Sequence, residues 1–130
     1  MNMHERPRVD MDFVDPFNIS EIVDKDNFQK HLSISRDICD PTKAFRKITE
    51  ETIPVDFSKL LDARIMHGAP DTNVPKHAHE GPVFRIIMSG EVFVNDKLYK
   101  PTDWMIIPTR YAYDLQSRGG YIALWVCVNC

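Results

Sequence analysis

Val74-Pro75-Lys76-His77-Ala78-His79-Glu80-Gly81-Pro82-Val83-Phe84-Arg85-Ile86-Ile87-Met88-Ser89-Gly90 is the stretch on which the fold turns. It reads as two short strands, Val74 to His79 and Val83 to Met88, parted by Gly81-Pro82 and closed by Ser89-Gly90. Residues two apart on a strand share a face, so His77 and His79 project the same way, roughly 7 Å apart along the backbone. By the same alternation Val83, Arg85 and Ile87 share one face, while Phe84, Ile86 and Met88 take the other. Pro75 cannot donate to a ladder, and Gly81-Pro82 turns the chain, so the histidine pair is expected at a rim of the sheet.

Working outward, the same short-strand pattern continues. Leu61 to His67 precedes the stretch and ends at Gly68 and Pro70. Val92 to Val94 and Lys97 to Tyr99 flank Asn95-Asp96, a pair that favours a tight hairpin. Trp104 to Ile107, Tyr111 to Leu115 and Tyr121 to Val128 complete seven or eight strands. Such a series predicts an all-β sandwich, barrel or jelly roll, in which closure removes exposed edges. Residues 58–130 form this unit, and residues 1–57 are expected to be an extension of helix and coil rather than a second domain. Within the extension, Ile19 to Leu32 suits a short helix or a strand. Asp40-Pro41-Thr42 followed by Ala44, Phe45 and Ile48 suits a capped helix stopped by Pro54. The aspartate-rich segment from Asp10 to Asp26 reads as an arm, wrapping a partner subunit or left as a tail.

Composition narrows the function classes. Of the 130 residues, 43% are hydrophobic and 27% charged, the balance of a globular chain with one core. The net charge of -3 comes without a basic stripe, which argues against nucleic acid. The absence of any 18-residue apolar run argues against a membrane helix, and the first twenty residues lack the core of a signal peptide. The cytoplasm is the expected compartment. Cys39, Cys127 and Cys130 form no framework; Cys127-x-x-Cys130 ends a strand instead of opening a helix, so reduced thiols are expected.

Pro75-Lys76-His77-Ala78-His79, with Gly90 eleven residues after the second histidine, resembles the first motif of the cupin superfamily. Asp103-Trp104-Met105-Ile106-Ile107-Pro108 is similar to the second, which in the family runs on to a glycine and a third histidine. The resemblance covers about residues 60 to 128. It implies a jelly-roll β-barrel with the ligand site inside, a divalent metal (Fe, Zn, Ni or Mn) on His77 and His79, and a homodimer. The departures are specific. The family's metal-binding glutamate falls on Val83, the glycine on Arg110, and the third histidine on Tyr113. His77-x-His79-x-Gly81-Pro82-Val83 is similar to the H-x-H-x-G-x-V of cupin dioxygenases that cleave acetylacetone and dihydroxyacetophenone, which lack the glutamate.

Other residues bear on the site. Arg85, if inside, needs a carboxylate, a phosphate or water, and its fork matches a substrate carboxylate; a salt bridge to Glu91, Asp103 or Asp114 is the alternative. Tyr111 and Tyr113 share a strand face, so Tyr111 is a candidate for substrate binding and Tyr113 for proton transfer or ligation. His67, Glu80 and Cys127 are further candidates to complete a metal shell. Trp104, Trp125, Phe84 and Phe93 read as core or dimer face. Three functions follow as expectations: a metal-dependent enzyme acting on a small oxygenated or carboxylate-bearing molecule (dioxygenase-like, isomerase or lyase); a small-molecule-binding module with an incomplete metal site; or an interaction protein.

Overall fold

The computed structural model describes residues 12–33 and 48–128. Its strands in chain order are β1 (Val23–Asp24), β2 (Asp62–Gly68), β3 (Thr72–His77), β4 (Val83–Gly90), β5 (Val92–Val94), β6 (Lys97–Tyr99), β7 (Trp104–Ile107), β8 (Tyr113–Ser117) and β9 (Tyr121–Cys127). They form two antiparallel sheets. The larger runs β1-β7-β4-β9-β2 and the smaller β3-β8-β5-β6. No strand is shared between them, so the closed barrel expected from the sequence is an open two-sheet sandwich. Among the described residues no ladder joins an edge of one sheet to an edge of the other.

The alternation read from the sequence sets the layers. Val83 and Ile87 of β4 enter the core between the sheets with Val92, Val94, Tyr99, Met105, Ile107, Tyr113, Leu115 and Ala123. Phe84, with Trp104 and Ile106, lies on the outer face of the larger sheet, where Ile86 and Val126 pack beside them. Asn95 and Asp96 take φ values of 46° and 66°, the left-handed pair that a two-residue hairpin between β5 and β6 requires. Gly90 has φ +76°, and a Cβ there would strike the Gly120 carbonyl. The motif glycine is therefore required by a close approach of β4 to the turn before β9.

Residues 12–33 are not a free arm. Val23 pairs with Ile106, so β1 extends the larger sheet beyond β7. Val14, Val23, Phe28 and Val55 are buried against Phe84, Trp104 and Ile106. The outer face is apolar and must be covered, and each such side chain taken from water contributes roughly 1.5–3 kcal/mol. The chain itself covers the part of that face around Phe84, Trp104 and Ile106. Among the described residues of the extension, helix is limited to one 3-10 turn, Phe28–His31. This corrects the helical extension; the helix expected around Pro41 to Phe45 lies outside the described residues.

Candidate functional site

The site forms where the two sheets face each other beside the 78–82 turn. His77 is the last residue of β3 and sits directly opposite Tyr113 of β8, with ring centroids 4.5 Å apart. The register of β3 shifts between Val74 and His77, and β3 ends before His79. Strand parity therefore does not aim the second imidazole; the turn does. The amide of Arg110 donates to the His79 carbonyl at 2.7 Å, and the Arg110 side chain meets Glu80 at 3.1 Å. Arg110 holds φ +58°, at the place where the resemblance expects glycine.

So positioned, the two imidazoles do converge, 5.0 Å between centroids and nearly perpendicular at 88°. His77 Nδ1 donates to the Pro75 carbonyl at 2.9 Å. His79 Nε2 lies 2.9 Å from the Tyr113 hydroxyl. Burial holds the His79 pKa below its ordinary value, and the nearby His77 and Arg85 push it the same way. At neutral pH His79 is therefore an uncharged acceptor for the Tyr113 proton.

The opposite wall comes from the larger sheet. Arg85 of β4 is 2% exposed and donates through Nη2 to the Tyr113 oxygen at 3.4 Å. Its guanidinium lies 4.9 Å from the ring of Trp125, its direct cross-strand partner on β9, and 5.8 Å from the ring of Tyr113. Among the described residues no carboxylate pairs with it, so the salt bridge to Glu91, Asp103 or Asp114 weighed above is absent. Its Nε and Nη1 have no hydrogen-bond partner, nor has Trp125 Nε1. An open cleft of about 550 Å³ reaches this wall, lined by Phe17, His79, Val83, Trp125 and Val128 among others. Arg85 is not on the cleft surface. Its cross-strand neighbour Trp125 lines the cleft there instead.

Sequence reasoning brought His77, His79, Arg85 and Tyr113 to one place, and the structure assembles those four. It does not bring in Tyr111. β8 begins only at Tyr113, and the Tyr111 side chain packs against the inner core with no hydrogen bond or ring contact to the cluster among the described residues. His67 is exposed on β2, and Glu80 is committed to Arg110. Cys127 is buried and disulfide-bonded, which corrects the expectation of reduced thiols; Cys39 and Cys130 lie outside the described residues. Trp125, read as core or dimer face, belongs to the site. Its alternation with Ala123 and Cys127 was legible; the register that sets it beside Arg85 was not.

The metal implied by the resemblance can be tested on the donors present. His77 and His79 offer neutral nitrogens and Tyr113 a phenol. No third His, Cys, Asp or Glu joins the pair among the described residues. A tyrosinate would add one negative charge, but a phenol ordinarily keeps its proton near neutral pH. The neighbour that completes the cluster is a permanent cation, which repels a divalent ion at this range. The residues do not fit a resident divalent metal.

No family model matches the chain, and no curated protein matches it. Among solved structures it is similar to a cupin superfamily protein of Desulfitobacterium hafniense, at 17% identity and a TM-score of 0.46, over 50% of this chain and 63% of that one. A chain of the Rhodobacter sphaeroides complex of SigE with the anti-sigma ChrR matches at 21% identity and 0.46, over 50% of this chain and 37% of that one. A salicylate 1,2-dioxygenase of Pseudaminobacter salicylatoxidans matches at 15% identity and 0.46, over 60% of this chain and 24% of that one. The chain thus spans less than two thirds of each. No helix among the described residues is long and apolar enough to cross a membrane. The solved structures similar to this chain include a cupin superfamily protein and a protein with a cupin-like fold, and the 75–90 stretch resembles that superfamily.

Proposed function

We propose that the chain binds a small organic carboxylate between its sheets, with Arg85 as the anion's partner and the His79–Tyr113 pair beside the bound molecule. The observation that carries this reading is the state of Arg85: a guanidinium 2% exposed, with two nitrogens unpaired and no carboxylate within reach among the described residues. Leaving a charged donor buried without an acceptor costs several kcal/mol. A ligand carboxylate offsets that cost and matches the fork bidentately. The molecule enters through the cleft, whose wall Trp125 forms, and adds an ion pair to Arg85 while the indole stays against the guanidinium.

Catalysis, where it occurs, falls to Tyr113 and His79. Arg85 donates to the phenol oxygen and so frees the phenol proton for His79 Nε2, 2.9 Å away. A substrate oxygen that replaces His79 at that hydroxyl receives the same proton, which suits isomerase or lyase chemistry by general acid catalysis. Tyr111 packs against the inner core and takes no part in this step. The homodimer implied by the resemblance would use apolar side chains left bare on the larger sheet's outer face, Ile65 and Met88.

A thermal-shift screen of small acids in the presence of a chelator tests the binding reading. Stabilisation of the wild type that disappears in Arg85→Gln supports it. No stabilisation, or equal stabilisation in the variant, refutes it. Elemental analysis is the complementary measurement. Fe, Zn, Ni or Mn near one per chain, lost in a His77→Ala, His79→Ala double variant, would replace this reading with a metal-dependent enzyme.

A further inference from the structure

The buried side-chain nitrogens and oxygens without a partner number three among the described residues: Arg85 Nε, Arg85 Nη1 and Trp125 Nε1. They are not scattered. Arg85 and Trp125 are direct partners across β4 and β9, and the guanidinium lies 4.9 Å from the indole ring. All three are donors, and no buried acceptor is left over beside them. Tyr113 and His79 satisfy each other. The unmet demand at this spot is for acceptors alone, on at least two neighbouring positions.

A simple carboxylate meets only part of it. Its two oxygens take Nη2 with either Nε or Nη1, since those two lie on different edges of the guanidinium, and the indole N–H is left unmet. A third oxygen on the adjoining carbon can meet it, because the indole stands next to the guanidinium. From this, and resting on the carboxylate reading above, we infer that the pocket selects 2-oxo carboxylates: the carboxylate on Arg85 and the 2-oxo oxygen on Trp125 Nε1. A carbonyl oxygen only accepts. A 2-hydroxyl in its place brings a proton of its own, and His79 Nε2, an acceptor of this cluster, is already taken by Tyr113. The order of preference is therefore 2-oxo, then 2-hydroxy, then unsubstituted acid.

Isothermal titration of the full chain, with chelator present, tests this using propanoate, 2-hydroxypropanoate and 2-oxopropanoate, which share chain length and charge. The expected result is binding of 2-oxopropanoate about tenfold tighter than propanoate, the worth of one well-made hydrogen bond to a buried donor. Trp125→Phe keeps the ring and removes the N–H, and brings the two acids within about twofold of each other. A variant-free control places the oxygen elsewhere: 4-oxopentanoate gains nothing over pentanoate. Equal binding of propanoate and 2-oxopropanoate by the wild type overturns the 2-oxo assignment and leaves the carboxylate site standing. An unchanged preference in a folded Trp125→Phe overturns the role of the indole. Failure of every acid to bind, or Arg85→Gln binding like the wild type, overturns the carboxylate site itself.

Discussion

Asp24 and Arg85 are the two charged side chains buried among the described residues, 4% and 2% exposed, and the protein treats them in opposite ways. Asp24, on β1, is fully engaged. Its Oδ2 accepts from the Tyr99 hydroxyl at 2.6 Å and from Lys97 Nζ at 2.8 Å, and its Oδ1 accepts from the Asp26 amide at 2.9 Å. Arg85, inside the sandwich, has one long hydrogen bond and two aromatic faces. The first arrangement ties the N-terminal segment to β6 and serves the fold. The second leaves a cost that the fold does not explain and that the proposed ligand would offset. On that proposal, buried charge that is satisfied marks structure and buried charge that is not marks function.

The comparison breaks most visibly at Asp24. Asp24→Ala strands Lys97 and Tyr99 and loosens β1 from the sheet, so urea unfolding is expected to show a loss of about 3 kcal/mol. Loss under 1 kcal/mol would mean the cluster is decorative. Tyr99→Phe removes a single charge-assisted bond and is expected to cost about 2 kcal/mol by the same measurement.

Alkaline pH attacks the same end. Burial and the bond to Asp24 raise the Tyr99 pKa well above that of a free tyrosine. The Lys97 pKa is also raised: its bonds to Asp24 and Asp26 outweigh the opposing effect of burial. A group whose folded pKa exceeds its unfolded value holds its proton in the folded state after the unfolded chain has begun to lose it. The stability from this pair is therefore complete below about pH 10 and declines as pH rises beyond that. In unfolding free energies measured from pH 8 to 11, this contribution should hold to about pH 10 and then fall, more steeply in the wild type than in Tyr99→Phe. Equal slopes would separate the Asp24 cluster from the alkaline transition.

A smaller effect sharpens the site end. Arg110 holds a left-handed backbone conformation, and its ion pair with Glu80 joins two exposed side chains. Such a pair contributes little, whereas a non-glycine residue in that region carries a strain of about 1 kcal/mol. Arg110→Gly should keep the Arg110 amide on the His79 carbonyl and gain about 0.5 kcal/mol in thermal unfolding. A loss would show that the Glu80 contact, rather than the backbone bond, holds the 78–82 turn.

These residues also show what the sequence could and could not carry. Strand count, the Asn95-Asp96 hairpin and the inward face of β4 follow from alternation and turn chemistry, which are local. Glycine at 90 and the left-handed turn at 110 are legible from motif spacing for the same reason. The open sandwich, the covering of the outer face by Val14, Val23 and Phe28, and the Asp24 cluster depend on pairings between residues distant in the chain, Asp24 and Tyr99 being 75 apart, which no local pattern encodes. Trp125 fell between the two. Its parity was readable, but its meeting with Arg85 depends on the β4–β9 register. His79 reached the right place by a different route, since the turn and not the strand aims it.

The most direct measurement is the urea unfolding of Arg85→Met, without ligand and with saturating 2-oxopropanoate. If Arg85 serves a ligand, removing its unpaired buried charge leaves the ligand-free protein within about 1 kcal/mol of the wild type, or more stable. In that case the acid stabilises only the wild type. A ligand-free loss of about 3 kcal/mol, comparable to Asp24→Ala, together with stabilisation of both proteins by the acid, would contradict the account and make Arg85 a structural residue like Asp24.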